Sequence, residues 1–248
     1  MARTRSAFRP RSPKSGKIGR LFCQLTIPGL KLLAWSSVDL TMGRTMTPRP
    51  RNFNEATALR RAKELFWSLG FEATSMQGLV ETMNIGRQSL YNTFGDKRSL
   101  FLKTLELYDG ELAEAALKPL ADPNASMHEV GEFLRSVADT LTGQEDRRSC
   151  FLMNSVMELA ATDGDVRKIA SRFRSSLVSA LEIALDRAAE QGALNSDCSS
   201  RAYALLIVNT AMGLSLTWKS DGTKEELDAI VSGTISMIAK KPAGLVPH

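Results

Sequence analysis

From about Asn54 onward the apolar residues of the chain fall into helical register. Ala58, Leu59, Ala62, Leu65, Phe66 and Leu69 recur three and four apart, while Arg60, Arg61, Lys63 and Glu64 occupy the other side. That pattern predicts a helix covered on one face. Gly70 is placed to end it, with Phe71 as the hydrophobic stop. Thr74 and Ser75 offer N-caps for a short helix carrying Met76, Leu79, Val80 and Met83. Asn84 stands where a turn needs a residue tolerant of positive φ. A third short helix is expected from Gly86 or Arg87 to about Thr93, and Asp96 can cap a fourth.

The remaining pattern is helical too. A long helix is expected from Lys97 to Leu117, stopping at Pro119. Another spans about 126–142, with Val130, Phe133, Leu134, Val137 and Leu141 on one face. A short apolar helix covers Cys150 to Ala160. A long amphipathic one runs from Asp165 to Gln191 through Val166, Ile169, Phe173, Leu177 and Leu181, closed by Gly192. The penultimate helix, 200–219, is apolar on nearly every face and is expected to be buried on all sides. The last, 224–240, carries a stripe of Leu227, Ile230, Thr234 and Ile238. About nine helices and no strand make the fold all-α. The final pair has more apolar surface than one subunit readily covers, so a homodimer through these two helices is expected.

Residues 1–45 show neither periodicity and are expected to be a disordered basic tail, or to precede the native start at Met42 or Met46. The 248-residue chain has a formal net charge of +5, distributed unevenly. Residues 1–45 hold nine basic groups against one acid, and 46–98 hold eight against five. Residues 99–248 hold fifteen against twenty-one. A basic front and an acidic back point any polyanionic partner at the front. Three widely spaced cysteines, Cys23, Cys150 and Cys198, without a CxxC, argue against a disulfide scaffold or a zinc site and fit a cytoplasmic setting. The stretch from Leu21 to Trp35 is interrupted by Pro28, Gly29 and Lys31, so no membrane span is expected.

One segment concentrates chemistry: NIGRQSLYNTFGDK, residues 84–97. Two short helices joined by a tight turn, behind a basic helix, outline a helix-turn-helix, whose second helix enters the DNA major groove. Ile85 and Leu90 would pack against Leu79 and Val80, leaving Arg87, Gln88 and Ser89 outward. Arginine pairs with a guanine edge and glutamine with an adenine edge, while serine and tyrosine hydroxyls suit phosphates. Lys97 would act as a phosphate-facing point charge.

The run ATALRRAKELFWSLGFEATSMQGLVETMNIGRQSLYNTFGDKRSLF resembles the N-terminal domain of the tetracycline-repressor (TetR) family of bacterial regulators. The resemblance covers about residues 54–101. It implies a helix-turn-helix domain over 46–98 and an α-helical ligand-binding and dimerisation domain over 99–248. It also implies a homodimeric repressor that reads an inverted repeat and is released by a small hydrophobic effector, with the helix from Lys97 as the lever. Carried over by position, Ser75 and Gln77 touch the backbone or groove edge. Arg87, Gln88 and Ser89 lead the recognition helix, Tyr91 and Asn92 lie near phosphates, and Lys97 meets the backbone. The chain departs from the common pattern at Gly86, where many members have serine, at Gln88, where they have glycine, and at Thr93, where they have histidine.

The second half shows no catalytic set, cofactor motif or metal-ligand spacing. Its histidines are His128 and His248, and no nucleophile elbow is present. RRSCFLMNSVMELA places Cys150, Met153, Asn154 and Met157 on one helical face. That face is either ordinary core or one wall of an effector pocket, which Phe133, Phe173 and Trp218 could join. A thiol activated by Arg147 and Arg148 is a further reading of Cys150. A constitutive architectural DNA-binder and a small helical enzyme are the competing functional classes.

Overall fold

The computed structural model describes residues 53–143 and 146–240. The expected tail over 1–45, and the starts at Met42 or Met46, lie outside these residues. Among the described residues the chain forms nine helices of at least eight residues, and its only strand-like pairing is an isolated bridge between Leu194 and Ala239.

The first helix, α1 (Glu55–Leu69), starts where the Asn54 side chain accepts from the Thr57 N–H and ends at Gly70. Gly70 adopts φ +84°, which a residue with a Cβ enters only under strain. Ser75 caps α2 (Met76–Met83) by accepting from the Gly78 N–H. Asn84 then reverses the chain in the left-handed region at φ 55°, as its short polar side chain permits. Helix α3 (Arg87–Phe94) follows from Gly86, which supplies no side-chain cap. Asp96 caps α4 (Lys97–Leu112), its Oδ1 accepting from the Ser99 N–H at 2.7 Å.

Helix α4 does not simply stop at Pro119. It widens into a π-helical turn over Ala113–Leu117 and continues as one short turn, Lys118–Leu120. In the widened turn the Lys118 N–H reaches back to the Ala113 carbonyl. A proline donates no hydrogen bond and crowds the carbonyl four residues before it, so the loosened turn accommodates the ring. The rest comprises α5 (Met127–Thr142), α6 (Phe151–Leu159), α7 (Gly164–Glu190), α8 (Ser200–Lys219) and α9 (Lys224–Ile238). Capping boxes start α5 at Ser126 with Glu129, and α9 at Thr223 with Glu226.

Two apolar cores result. One joins α5, α7, α8 and α9 through residues such as Leu134, Leu181, Ile207 and Leu227. The other joins α1 to α4 with α6 and the start of α7, through Phe66, Leu90, Phe101, Phe151 and Val166. Phe173 packs against both.

Two expectations about helix faces are corrected, at Lys63 and in α9. Lys63 does not face solvent: it is 7% exposed, its ammonium 2.6 Å from Glu111 and near the rings of Trp67 and Tyr108. Its aliphatic stem covers apolar surface while a carboxylate keeps the head charged. Helix α8 buries Tyr203, Ala204, Ile207 and Leu214, but Leu206 and Leu216 are exposed on the single chain. In α9 the buried row is Leu227, Val231 and Ile238, and Ile230 shares the exposed side with Met237.

Candidate nucleic-acid interface and an internal cavity

Helices α2 and α3 are held by a shared interior. Leu79, Met83, Ile85, Leu90 and Phe94 are buried together, and the Arg61 guanidinium donates to the Met83 carbonyl at 3.4 Å. This packing turns the other face of α3 outward: Arg87, Gln88, Tyr91 and Asn92 are exposed and Ser89 half-buried. Arg87 has no hydrogen bond or ion pair among the described residues, leaving its five donors available. The Gln88 side-chain amide donates to Asn92 Oδ1 at 2.9 Å, and Gln77 donates to Glu81 Oε1 at 2.7 Å. The Ser75 oxygen is engaged as a cap acceptor, though its own O–H remains a donor. Lys97 donates to the Glu72 carbonyl at 3.3 Å, over the Phe71 ring. One α2–α3 surface thus gathers polar groups of the kinds that read base edges and bind phosphates.

The remainder of the chain grips this unit at its back. Both Glu158 carboxylate oxygens reach the α1–α2 turn, accepting from the N–H groups of Phe71 and Glu72. The Trp67 indole N–H donates to the Ser149 carbonyl at 2.7 Å. Arg148 pairs with Glu64 at 2.8 Å. Arg98 binds both Asp163 and Asp165; its hydrogen bond holds the Asp163 carboxyl at about 2, and the Asp163 partnership in turn raises the guanidinium pKa. No periodicity announces these links, because each joins residues more than sixty positions apart.

A cavity of about 670 Å³ lies behind them, within the range of small-molecule sites. Its wall draws on α4 to α8, and on Trp67 from α1. Of the positions expected there, Phe133, Cys150, Met153 and Phe173 line it. Asn154, Met157 and Trp218 do not. Met157 is 80% exposed. Asn154 instead accepts from the Ser149 hydroxyl at 2.7 Å and from Lys219 at 3.2 Å. Trp218 lies under the Arg147 guanidinium. The helical spacing that grouped Cys150 with Met157 fails because Cys150 is the residue before α6, with extended ψ of 122°.

Cys150 is not an activated thiol in this arrangement. Burial pushes it above its usual range, outweighing hydrogen bonds from the Met153 N–H and the Tyr108 hydroxyl. Arg147 is engaged with the carbonyls of Trp218 and Gly222, and Arg148 with Glu64 and Asp146. Neither guanidinium is therefore committed to the sulfur. Among the described residues no cluster of His, Cys, Asp and Glu could hold a metal ion, and no helix is long and apolar enough to cross a membrane.

Residues 58–104 match the family of bacterial regulatory proteins typified by TetR, and 127–233 match the tetracyclin repressor-like C-terminal domain. A cysteine mutant of the TetR family transcriptional regulator CifR, solved with a 26 bp double-strand operator DNA, is 30% identical with a TM-score of 0.65. That match covers 77% of this chain and 99% of the other. The uncharacterized HTH-type transcriptional regulator YezE of Bacillus subtilis (strain 168) is 29% identical over 191 residues, 77% of this chain and 98% of YezE. The HTH-type transcriptional repressor ComR of Escherichia coli (strain K12) is 24% identical over 190 residues, 76% and 90% of the two chains. With its three-helix front and helical second half, the chain belongs to the TetR family of bacterial DNA-binding transcriptional regulators.

Proposed function

We propose that this regulator is a homodimeric repressor of an inverted-repeat operator, released when a small hydrophobic effector fills the cavity. The observation that carries the reading is Trp67, a helix α1 residue that also lines the cavity and is bonded to Ser149. An occupant touching Trp67 acts on the back of the DNA-binding unit through one side chain. On this reading Arg87 and Gln88 meet base edges, Ser75, Gln77, Ser89, Tyr91 and Asn92 contact phosphates or groove edges, and Lys97 contacts the backbone.

Two recognition helices read a palindrome when they sit one DNA turn apart, roughly 34–36 Å. A ligand that prefers another spacing lowers DNA affinity by its differential affinity for the two states. Helix α4, which leaves the DNA-binding unit at Lys97 and reaches the cavity at Tyr108 and Leu112, is the lever. The dimer is assigned to α8 and α9, where Leu206, Leu216, Ile230 and Met237 stand exposed and Gly213 and Gly233 leave open space. Such small residues let facing helices approach closely.

The test is a gel shift on the DNA flanking the protein's own gene, with and without candidate hydrophobic effectors. Specific retention reversed by an effector is expected. Retention on any sequence, with no compound releasing it, would instead make the protein a constitutive architectural DNA-binder.

A further inference from the structure

The cavity wall has a one-sided charge. Among the described residues it contains no aspartate or glutamate, and the formal charges on it are the guanidiniums of Arg167 and Arg174, both on α7. Seven residues apart, with Ser171 between them, they form one ridge of that helix. Ala170, Phe173 and Leu177 continue the same wall inward. Ser171 and Arg174 are exposed, which places this ridge at the opening and the apolar lining beneath it.

The two arginines differ in their commitments. Arg167 donates to the Ala160 carbonyl. Elsewhere along α7, Lys168 pairs with Asp165, Arg172 with Asp109, and Arg187 donates to backbone carbonyls. Arg174 has no hydrogen bond or ion pair among the described residues. Donors elsewhere on the wall are largely spent: the hydroxyls of Ser136, Ser149 and Ser215 each donate to an internal acceptor. Apart from the Thr140 hydroxyl, an anion entering the cavity therefore finds its free donors, and all of the charged ones among the described residues, on the α7 ridge.

Resting on the effector-release reading, we propose that the cavity takes an apolar organic acid, its hydrocarbon body inside and its carboxylate on Arg174 and Ser171. A planar guanidinium suits a carboxylate through two parallel hydrogen bonds. A cationic ligand meets only like charge there, and a neutral one leaves Arg174 to water.

Calorimetric titration of the full-length protein tests this, using decanoate and phenylbutyrate beside the alcohol and amine of each skeleton. The acids should bind about tenfold more tightly than the alcohols, and the amines most weakly. Arg174→Gln should reduce acid affinity to that of the alcohol, while Arg174→Lys, which keeps the charge but loses the paired hydrogen bonds, retains only part of the preference. Equal binding of acid and alcohol, an Arg174→Gln variant with undiminished acid affinity, or no binding by either acid would overturn the proposal. An operator-release assay on the same compounds separates the two readings. Acids that bind through Arg174 without releasing DNA support this ligand class and sink the release mechanism. Release by the alcohols as readily as by the acids keeps that mechanism and sinks the ligand class.

Discussion

The carboxylate of Glu158 accepts the backbone N–H of Glu72 at 2.8 Å, tying α6 to the turn that leads into the helix-turn-helix. Its other oxygen takes the Phe71 N–H at 3.0 Å. Replacing Glu158 with alanine frees both donors. Because the site is exposed, water replaces part of the loss, and the expected cost is about 1 kcal/mol, or roughly 2–4 °C in melting temperature. Amide exchange at Phe71 and Glu72 should accelerate, and Glu158→Gln should fall between. Unchanged protection of those two amides would mean that the clamp is absent in solution.

The proposed recognition roles separate by kind of contact. Arg87→Ala and Gln88→Ala should each weaken operator binding by about 1–3 kcal/mol and relax base preference at one position. Lys97→Ala should weaken all sequences alike and reduce the salt slope by about one. Fluorescence anisotropy across a salt series, on wild-type and base-substituted operators, distinguishes the patterns, with circular dichroism reporting an intact fold. Wild-type affinity in the arginine and glutamine variants would refute their assignment.

Acid dependence follows from the ion pair of Arg98. The Asp163 carboxyl sits at about 2, below its ordinary 3.8, chiefly through the Arg98 hydrogen bond. A depressed carboxyl contributes stability that is present above its unfolded value and lost as the pH falls through the folded one. Asp163→Asn keeps an oxygen to cap α7 but removes the charge. Urea midpoints should therefore favour wild type above pH ~4, converge between pH ~4 and ~2, and coincide below. A gap that persists at the acid end would assign the effect to the cap instead.

The proposed dimer face predicts assembly defects without unfolding. Leu216 and Met237 are 68% and 65% exposed on the single chain, so a glutamate at either position costs the monomer little. Across an apolar interface the same charge is buried without a partner. Leu216→Glu and Met237→Glu should sediment as monomers at concentrations where wild type is dimeric, and should lose tight operator binding. Unaltered sedimentation by both would place the interface elsewhere.

Helix order and type were legible in the sequence because caps and apolar spacing act locally. Ser75 and Asp96 cap the helices that follow them, and Gly70 and Asn84 carry the positive φ that stops and turns require. What the sequence did not yield depends on partners distant along the chain. Lys63 reads as a solvated charge until Glu111 is brought to it, and nothing near Glu158 marks its target at Phe71 and Glu72. In α9 the expected stripe holds at Leu227 and Ile238 but not at Ile230, since Ile230 and Val231 compete for one face and only α5 and α8 decide between them. At the cavity, Phe133, Met153 and Phe173 were legible as apolar positions on their helices, whereas the face that joined Cys150 to Asn154 and Met157 was not, because Cys150 precedes α6. Arg174 was not, because an exposed arginine on a long helix has the same local signature whether it faces a cavity or open water.

Trp67 also has a consequence on the evolutionary scale. A side chain that completes the cavity wall while bracing the back of the DNA-binding unit cannot be exchanged for one purpose alone. On the proposed effector reading, descendants adapting to new chemical signals are thus steered toward changes in the walls supplied by α5, α7 and α8, with the indole left in place. Ligand choice can then drift while the DNA-binding half keeps its footing.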